Sequence, residues 1–204
     1  MTLNTNTWNK IRYTLYAPIY NVIEGVFSSS RELSINQLNC KPGDKVLIIG
    51  AGTGLDIPYF PKGTKITATD ITPAMVQKIK KSYPSNNLKA LVMDGQNLAF
   101  NEATFDHVVL HLILAVMPNP NKCMQEVNRV LKPGGSVAVF DKFMEPNTQP
   151  SVFRKLGNSI TTFLFSDITR DIYSMISNTT LKIVSDKKAN FKGVFRVVNM
   201  RKEI

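Results

Sequence analysis

The chain has few of the residues that build metal centres and disulfide frameworks. In 204 residues it has 2 cysteines, Cys40 and Cys123, and 2 histidines, His107 and His111. Cysteines so far apart fit neither a disulfide framework nor a metal site, and they read as packed or idle thiols of a reducing compartment. No metal is expected. No apolar run reaches the ~18–20 residues of a membrane span. The longest, Val108–Met117, is broken by His111 and reads as a strand followed by a short helix. No charged n-region leading into an apolar core marks a signal peptide, so a cytoplasmic chain is expected. A nucleophile elbow, a paired-carboxylate site, a phosphate-binding P-loop and internal repeats are also missing. Acids are scarce: 15 Asp and Glu stand against 25 Lys and Arg, a formal net charge of +10. That excess suits either an anionic partner surface or a solvated edge that deters aggregation.

The most informative stretch is Val46-Leu47-Ile48-Ile49-Gly50-Ala51-Gly52-Thr53-Gly54. Four aliphatic residues predict a short, fully buried strand. The glycines at alternate positions then let the backbone turn tightly and approach a ligand with no Cβ in the way. A strand that ends in a glycine turn and enters a helix marks a nucleotide-cofactor site at the carboxyl edge of a parallel sheet. The pattern is G-x-G-x-G. A dinucleotide fingerprint would need glycine where Leu55 stands.

The following elements repeat the strand-then-acid theme. Lys65–Asp70 predicts a second strand whose terminal acid, Asp70, is placed to hold both hydroxyls of a ribose. Thr72-Pro73 predicts a hydroxyl N-cap and a proline at the first position of a helix over Pro73–Ser82. A third strand near Leu88–Met93 leads to Asp94-Gly95, and a fourth, Phe105–Leu110, ends at His111. A helix near Asn121–Leu131 is expected to stop at Lys132-Pro133-Gly134-Gly135, before a fifth strand over Ser136–Phe140. Leu181–Val184 and Val194–Val198, with a turn at Phe191-Lys192-Gly193, predict a terminal β-hairpin.

Five blocks in this order resemble class I S-adenosylmethionine-dependent methyltransferases of the methyltransferase-domain type. They are Val46–Gly54, Thr69–Met75, Asp94–Phe100, Phe105–Val109 and Glu126–Gly135. Within that family the chain is most similar to bacterial phospholipid N-methyltransferases and quinone C-methyltransferases. Tyr16–Tyr20, Met117–Pro120 and the basic tail hairpin carry this narrower likeness. The resemblance implies an α/β, Rossmann-like fold: a seven-stranded, mostly parallel sheet with helices on both faces and a C-terminal antiparallel β-hairpin. It divides the single domain into a helical cap (1–44), a cofactor-binding core (45–142), a substrate-covering insertion (143–180) and the hairpin (181–204).

The resemblance also implies S-adenosylmethionine as cofactor. Its contacts would come from Gly50, Ala51, Gly52, Thr53, Gly54, Asp70, Ile71, Met75, Asp94, Gly95 and His111. Asp94 would sit by the adenine amine, and Met75 lies either along the adenine or in the core. Tyr16, Tyr20 and His111 are the candidate catalytic groups, suited to accept a proton or to orient an amine. Asp106 begins its strand at the far end and reads as structural. One departure stands out. The family usually has Asp or Glu two residues before the first glycine, where it helps orient the methionine end of the cofactor, and here that position is Ile48.

The flanks bear on the acceptor. Thr7–Glu24 is aromatic, apolar and basic, with Trp8, Ile11, Tyr13, Tyr16, Ile19, Tyr20, Lys10 and Arg12. It reads as a helical cover of the cofactor or as a surface that docks on a membrane. Ser28–Leu38 predicts a helix with Arg31 facing the site or solvent. Met144–Thr180 holds an apolar cluster around Ile160, Phe163, Leu164, Phe165 and Ile168, expected to cover the substrate. The expected function is methyl transfer to a small or lipid-like acceptor, with a phosphatidylethanolamine-type amine favoured. The alternatives are a quinone precursor, a soluble metabolite, or a cofactor-binding protein with little catalysis, which the Ile48 departure supports. Nucleic acid is not expected as a partner, because no Asn-Pro-Pro-Tyr-type motif follows the fourth strand. The sequence leaves the oligomeric state open.

Overall fold

A computed structural model describes residues 20–144 and 170–204, and for 20–26 and 191–192 it describes the backbone path alone. Trp8, Tyr16 and the apolar cluster around Ile160–Ile168 lie outside the described residues, as does the side chain of Tyr20.

The aliphatic runs of the sequence become the centre of one sheet. The elements are α1 (Tyr20–Asn36), β1 (Lys45–Ile49), a single turn of 3-10 helix (Ile57–Tyr59), β2 (Lys65–Asp70), α2 (Pro73–Ser82), β3 (Leu88–Val92), β4 (Phe105–His111), α3 (Pro120–Val130), β5 (Leu131–Lys142), α4 (Ile172–Met175), β6 (Leu181–Lys188), α5 (Asn190–Gly193) and β7 (Phe195–Lys202). The seven strands lie in the order β3-β2-β1-β4-β5-β7-β6. The first five are parallel, and β5–β7 and β7–β6 are antiparallel. The fold class read from the sequence is the one observed.

A strand buried on both faces needs an unbroken apolar run, because alternate side chains enter opposite layers. In β1, Leu47 and Ile49 face one core with Val108, Leu110, Val137 and Val139, and α3 closes it with Met124, Val127 and Val130. Val46 and Ile48 face the other core with Ala68, Val109 and Ala138, closed by Ile35 of α1 and Val76 and Ile79 of α2. A third cluster, Phe27, Phe140, Phe195 and Val197, pins the middle of α1 to β5 and β7.

Local chemistry explains most boundaries. Pro120 opens α3, and the Asn119 side chain accepts from Lys122 N at 3.0 Å. At α2 the proline is in place, but the Thr72 hydroxyl makes no capping bond and turns to Asp70 instead. α1 begins earlier than the predicted Ser28, so one helix spans Tyr20–Asn36. Asp106 accepts from Lys45 N at 2.9 Å and from Lys132 Nζ at 2.6 Å, which ties the amino ends of β1, β4 and β5 together.

Three local expectations need correction. The Lys132–Gly135 stretch does not end α3. The helix stops at Val130, and Leu131 is already extended at φ −77° and ψ 135°. β5 then runs through the glycines, with a register slip opposite Phe105–His107. A Cβ on Gly135 would come within 2.9 Å of the Asp106 carbonyl, so the strand crowds closely there. The apolar run after His111 forms a turn rather than a helix, begun by Leu112 at φ 59°. Finally, the hairpin strands run longer than predicted, and a helical turn joins them.

No helix among the described residues is long and apolar enough to cross a membrane. Both cysteines are free. Cys40 lies with Asp44 and His107, their ligand atoms within 4.8 Å of one another, a grouping that sequence spacing did not reveal.

Met124 is fully buried between α3 and the sheet, whereas Val184 is 66% exposed. Met124→Ala is expected to destabilise the fold by about 2–5 kcal/mol. Val184→Ser should stay within about 0.5 kcal/mol of the parent. Urea unfolding of both variants checks this pair.

Candidate functional site

The carboxyl ends of β1, β2 and β4, with the segment that follows β3, open into one cleft of about 930 Å³, open solvent at its mouth included. Its floor is the glycine turn. Gly50, Gly52 and Gly54 all have positive φ, at 68°, 54° and 90°. A Cβ on Gly50 would lie 2.5 Å from Ile113 Cγ1, so only glycine lets the turn pass beneath the loop after β4. A Cβ on Gly52 would meet nothing within 4 Å, so the residue leaves its space to the cleft. Thr53 lines the cleft with a buried hydroxyl that has no hydrogen-bond partner among the described residues.

Asp70 ends β2 and is 9% exposed. Its Oδ2 accepts from Gly52 N at 2.9 Å, and its Oδ1 accepts from Thr72 N at 2.8 Å. Burial pushes its carboxyl above the usual range, partly countered by these backbone donors. Each oxygen keeps accepting capacity for a ligand hydroxyl. Beyond β3, Asp94 accepts from Gln96 N at 2.9 Å and from Gln96 Nε2 at 3.0 Å. Gln96 Oε1 in turn accepts from Asn119 N at 2.9 Å, tying this corner to the start of α3.

The opposite end of the cleft holds a buried charged network. Asp56 Oδ1 accepts from Arg31 Nη1 at 2.7 Å and lies 2.7 Å from His111 Nδ1. His111 Nε2 lies 3.0 Å from Ser34 Oγ. Burial opposes ionisation of Asp56, but neighbouring His111 and Arg31 outweigh it and hold the carboxyl well below the usual range. Arg31 and Ser34 share one face of α1, so the network ties that helix to the glycine turn and to β4. Buried Asp141 holds the loop after β4 from beneath, accepting from Ala115 N at 3.0 Å.

Gly50, Ala51, Gly52, Thr53, Asp70, Ile71, Met75, Asp94, Gly95 and His111 all line the cleft. Gly54 does not. It faces the other side of the turn, where a Cβ would come within 2.8 Å of Ile57 Cδ1 and 2.9 Å of the Tyr83 ring. His111 is at the wall, but both ring nitrogens are engaged and its side chain has no exposed surface. A proton-accepting role toward an acceptor therefore finds no free nitrogen. Tyr16 and the Tyr20 side chain lie outside the described residues. Ile48 points away from the cleft into the core with Ile35 and Val109.

Sequence reasoning gave Asp56, Ser34 and Gln96 no role and Arg31 an open orientation. A signal for Asp56 was present: a lone acid in the apolar stretch just after Gly54. Ser34 carried none, because its role depends on where α1 lies.

A family profile described as methyltransferase domain matches residues 47–139. A thiol S-methyltransferase of Rattus norvegicus is 33% identical over 141 residues, covering 65% of this chain and 57% of that protein. A phosphatidylethanolamine N-methyltransferase of Cereibacter sphaeroides is 30% identical over 130 residues, covering 61% of this chain and 64% of that protein. The chain thus spans less than two-thirds of the length of these relatives. Among solved structures, a chain from the Haloferax volcanii complex of the Trm112 methyltransferase activator superposes with a TM-score of 0.78 at 16% identity. The match covers 94% of this chain and 98% of that one. That last likeness is one of fold.

Two outcomes follow from the geometry. Gly50→Ala should add roughly 1–2 kcal/mol of left-handed strain and push Ile113 into the cleft, so ligand binding measured by calorimetry should be lost. Asp56→Ala strands a buried guanidinium and should destabilise the protein by about 3–5 kcal/mol at pH 7. The folded-state pKa of Asp56 is depressed, so its stabilisation is complete above about pH 4 and fades as pH falls further. Urea midpoints of parent and variant should therefore converge only below about pH 4.

Proposed function

We propose that this chain, whose residues 47–139 match a methyltransferase-domain profile, is a class I S-adenosylmethionine-dependent methyltransferase that moves a methyl group from that cofactor to a lipid-like amine of the phosphatidylethanolamine type. The observation that carries the reading is the sequence of contacts along the cleft. Asp94 and Gly95 follow β3, Asp70 ends β2, the glycine turn follows β1 and His111 ends β4, all on one wall. An adenine fits beside Asp94 and Met75, a ribose on Asp70, and the amino-acid end toward β4. The residues suit the group. Asp70 keeps accepting capacity for hydroxyls, Gly52 leaves an open space, and Thr53 offers an unpartnered hydroxyl.

When bound, S-adenosylmethionine supplies a methyl group already activated on a sulfonium sulfur. The protein's task is then mainly positioning and exclusion of water. The glycine turn and Asp70 hold the nucleoside, and the Leu112–Met117 turn forms the opposite wall. An amine acceptor has to approach as the neutral base. Because His111 is held on both nitrogens, Tyr16 and Tyr20 are the tyrosines assigned to orienting that amine.

The acceptor reading is supported by the Cereibacter relative and by the aromatic and basic Trp8–Ile23 segment. The tail hairpin supports it less than its charge suggests. Arg196 is 5% exposed and bonded to Asp186 at 2.7 Å, Lys202 Nζ caps the Asn128 and Leu131 carbonyls, and Arg201 donates to the Gly134 carbonyl. The Rattus relative favours a second reading, a thiol acceptor.

Radiolabelled methyl transfer decides between them. Label is expected in phosphatidylethanolamine of mixed vesicles, and label in a small alkyl thiol instead would select the second reading. Binding without transfer to either would leave a cofactor-binding protein. Asp70→Ala removes a charged acceptor for the ribose and should weaken S-adenosylhomocysteine binding by about tenfold or more in calorimetry. An unchanged affinity would overturn the placement of the nucleoside.

A further inference from the structure

Ile48 removes the acid that the family resemblance leads one to expect at the amino-acid end of the cofactor, yet a carboxylate is present near that end. We infer that the buried Arg31–Asp56 pair recognises the zwitterionic amino-acid end of the ligand, Asp56 taking the ammonium and Arg31 the carboxylate. The inference rests on the cofactor reading above. It assigns to a different part of the chain the contact that Ile48 cannot make.

Four observations carry it. First, both residues line the cleft at the β4 end, opposite Asp70 and Asp94, where a ligand with its ribose on Asp70 would place its amino-acid group. Second, the pair is nine-tenths or more buried: Arg31 is 7% exposed and Asp56 3%. Opposite charges buried in a cleft bind a ligand's own charges with little solvent competition. Third, both residues keep unused valences. The two contacts to Asp56 fall on Oδ1, so Oδ2 makes no hydrogen bond among the described residues, and Arg31 Nε is buried without a partner. Fourth, the pair is held in place. His111, itself backed by Ser34 at 3.0 Å, fixes the Asp56 carboxylate from behind, so it needs no reorganisation on binding. His111 thereby becomes a positioning residue.

The charge balance also fits. Ion pairing alone would leave the Arg31–Asp56 unit close to neutral, and a zwitterion is the ligand that satisfies both poles at once. A purely cationic or purely anionic ligand would leave one buried pole unanswered.

The test compares each ligand between parent and variant; the ligands share the nucleoside and differ in the amino-acid end, decarboxylated S-adenosylmethionine also carrying a sulfonium charge that the other two lack. S-adenosylhomocysteine carries both charges, decarboxylated S-adenosylmethionine has the ammonium without the carboxylate, and 5′-methylthioadenosine has neither. Calorimetry is run on the parent, Asp56→Asn and Arg31→Gln. Asp56→Asn should weaken S-adenosylhomocysteine and decarboxylated S-adenosylmethionine about tenfold or more, while 5′-methylthioadenosine changes less than about twofold. Arg31→Gln should weaken S-adenosylhomocysteine and leave the decarboxylated ligand near its parent affinity. Retained 5′-methylthioadenosine binding shows in each variant that the nucleoside site is folded. Equal weakening of all ligands by Asp56→Asn would mean a purely structural role and overturn the inference. Equal parent affinity for S-adenosylhomocysteine and 5′-methylthioadenosine would overturn it too, while leaving the cofactor reading standing. A parent that binds none of the three would instead overturn the cofactor reading itself.

Discussion

The constraint on which the structure depends is the burial of β1, β4 and β5 on both faces. Leu47 and Ile49 enter one core, and Val46 and Ile48 the other, with almost no exposed surface. A strand enclosed in this way has no polar face on which to build a site. Chemistry is displaced to the strand ends, where the backbone leaves the ladder and its N–H groups become free to hold side chains or ligands. The Asp70 bonds to Gly52 N and Thr72 N illustrate this: a carboxylate at one strand tip organises the turn after its neighbour. Amino-end polar groups do the opposite work, as Asp106 does by tying β1, β4 and β5 together away from the cleft.

The buried Arg31–Asp56–His111–Ser34 network is the second organising feature. Charges removed from water are costly unless each is paired, so the glycine turn, β4 and α1 are coupled through it. α1 is therefore more than a lid. Its Arg31 and Ser34 complete one end of the cleft, while Ile35 packs beneath the turn on Ile48 and Phe27 anchors the helix to β5 and β7. Disturbing the helix would disturb the site through electrostatics as well as packing.

The antiparallel β6–β7 pair changes how the basic charge is read. Counted along the sequence, the tail is a dense positive patch. In the fold, Arg196 is enclosed with Asp186, and Lys202 and Arg201 reach back to carbonyls at the α3–β5 junction. These cations cap and brace the sheet edge. The thiol and phospholipid methyltransferases that resemble this chain differ in acceptor.

Much of the fold was legible because it rests on local rules. Aliphatic runs gave the strands, Pro73 a helix start, and alternate glycines the turn. The strand tips placed Asp70, Asp94 and His111 on one wall because a parallel sheet aligns those tips. Where local signals competed, the reading slipped. Lys132–Gly135 has the composition of a helix terminator, but Leu131 before it already pairs with Phe105 of β4, and the stretch forms an irregularity within β5. By itself, then, the sequence determined the layered α/β sheet and the half of the cleft lined by the glycine turn, Asp70 and Asp94, since periodicity, turn chemistry and strand-end acids act over short stretches of chain. Only the tertiary structure decided that Arg31, Ser34, Asp56 and His111 meet, that His111 has no free nitrogen and that Arg196 is enclosed with Asp186. Each of these depends on the mutual burial of charges from segments far apart in the chain, and that has no local signature.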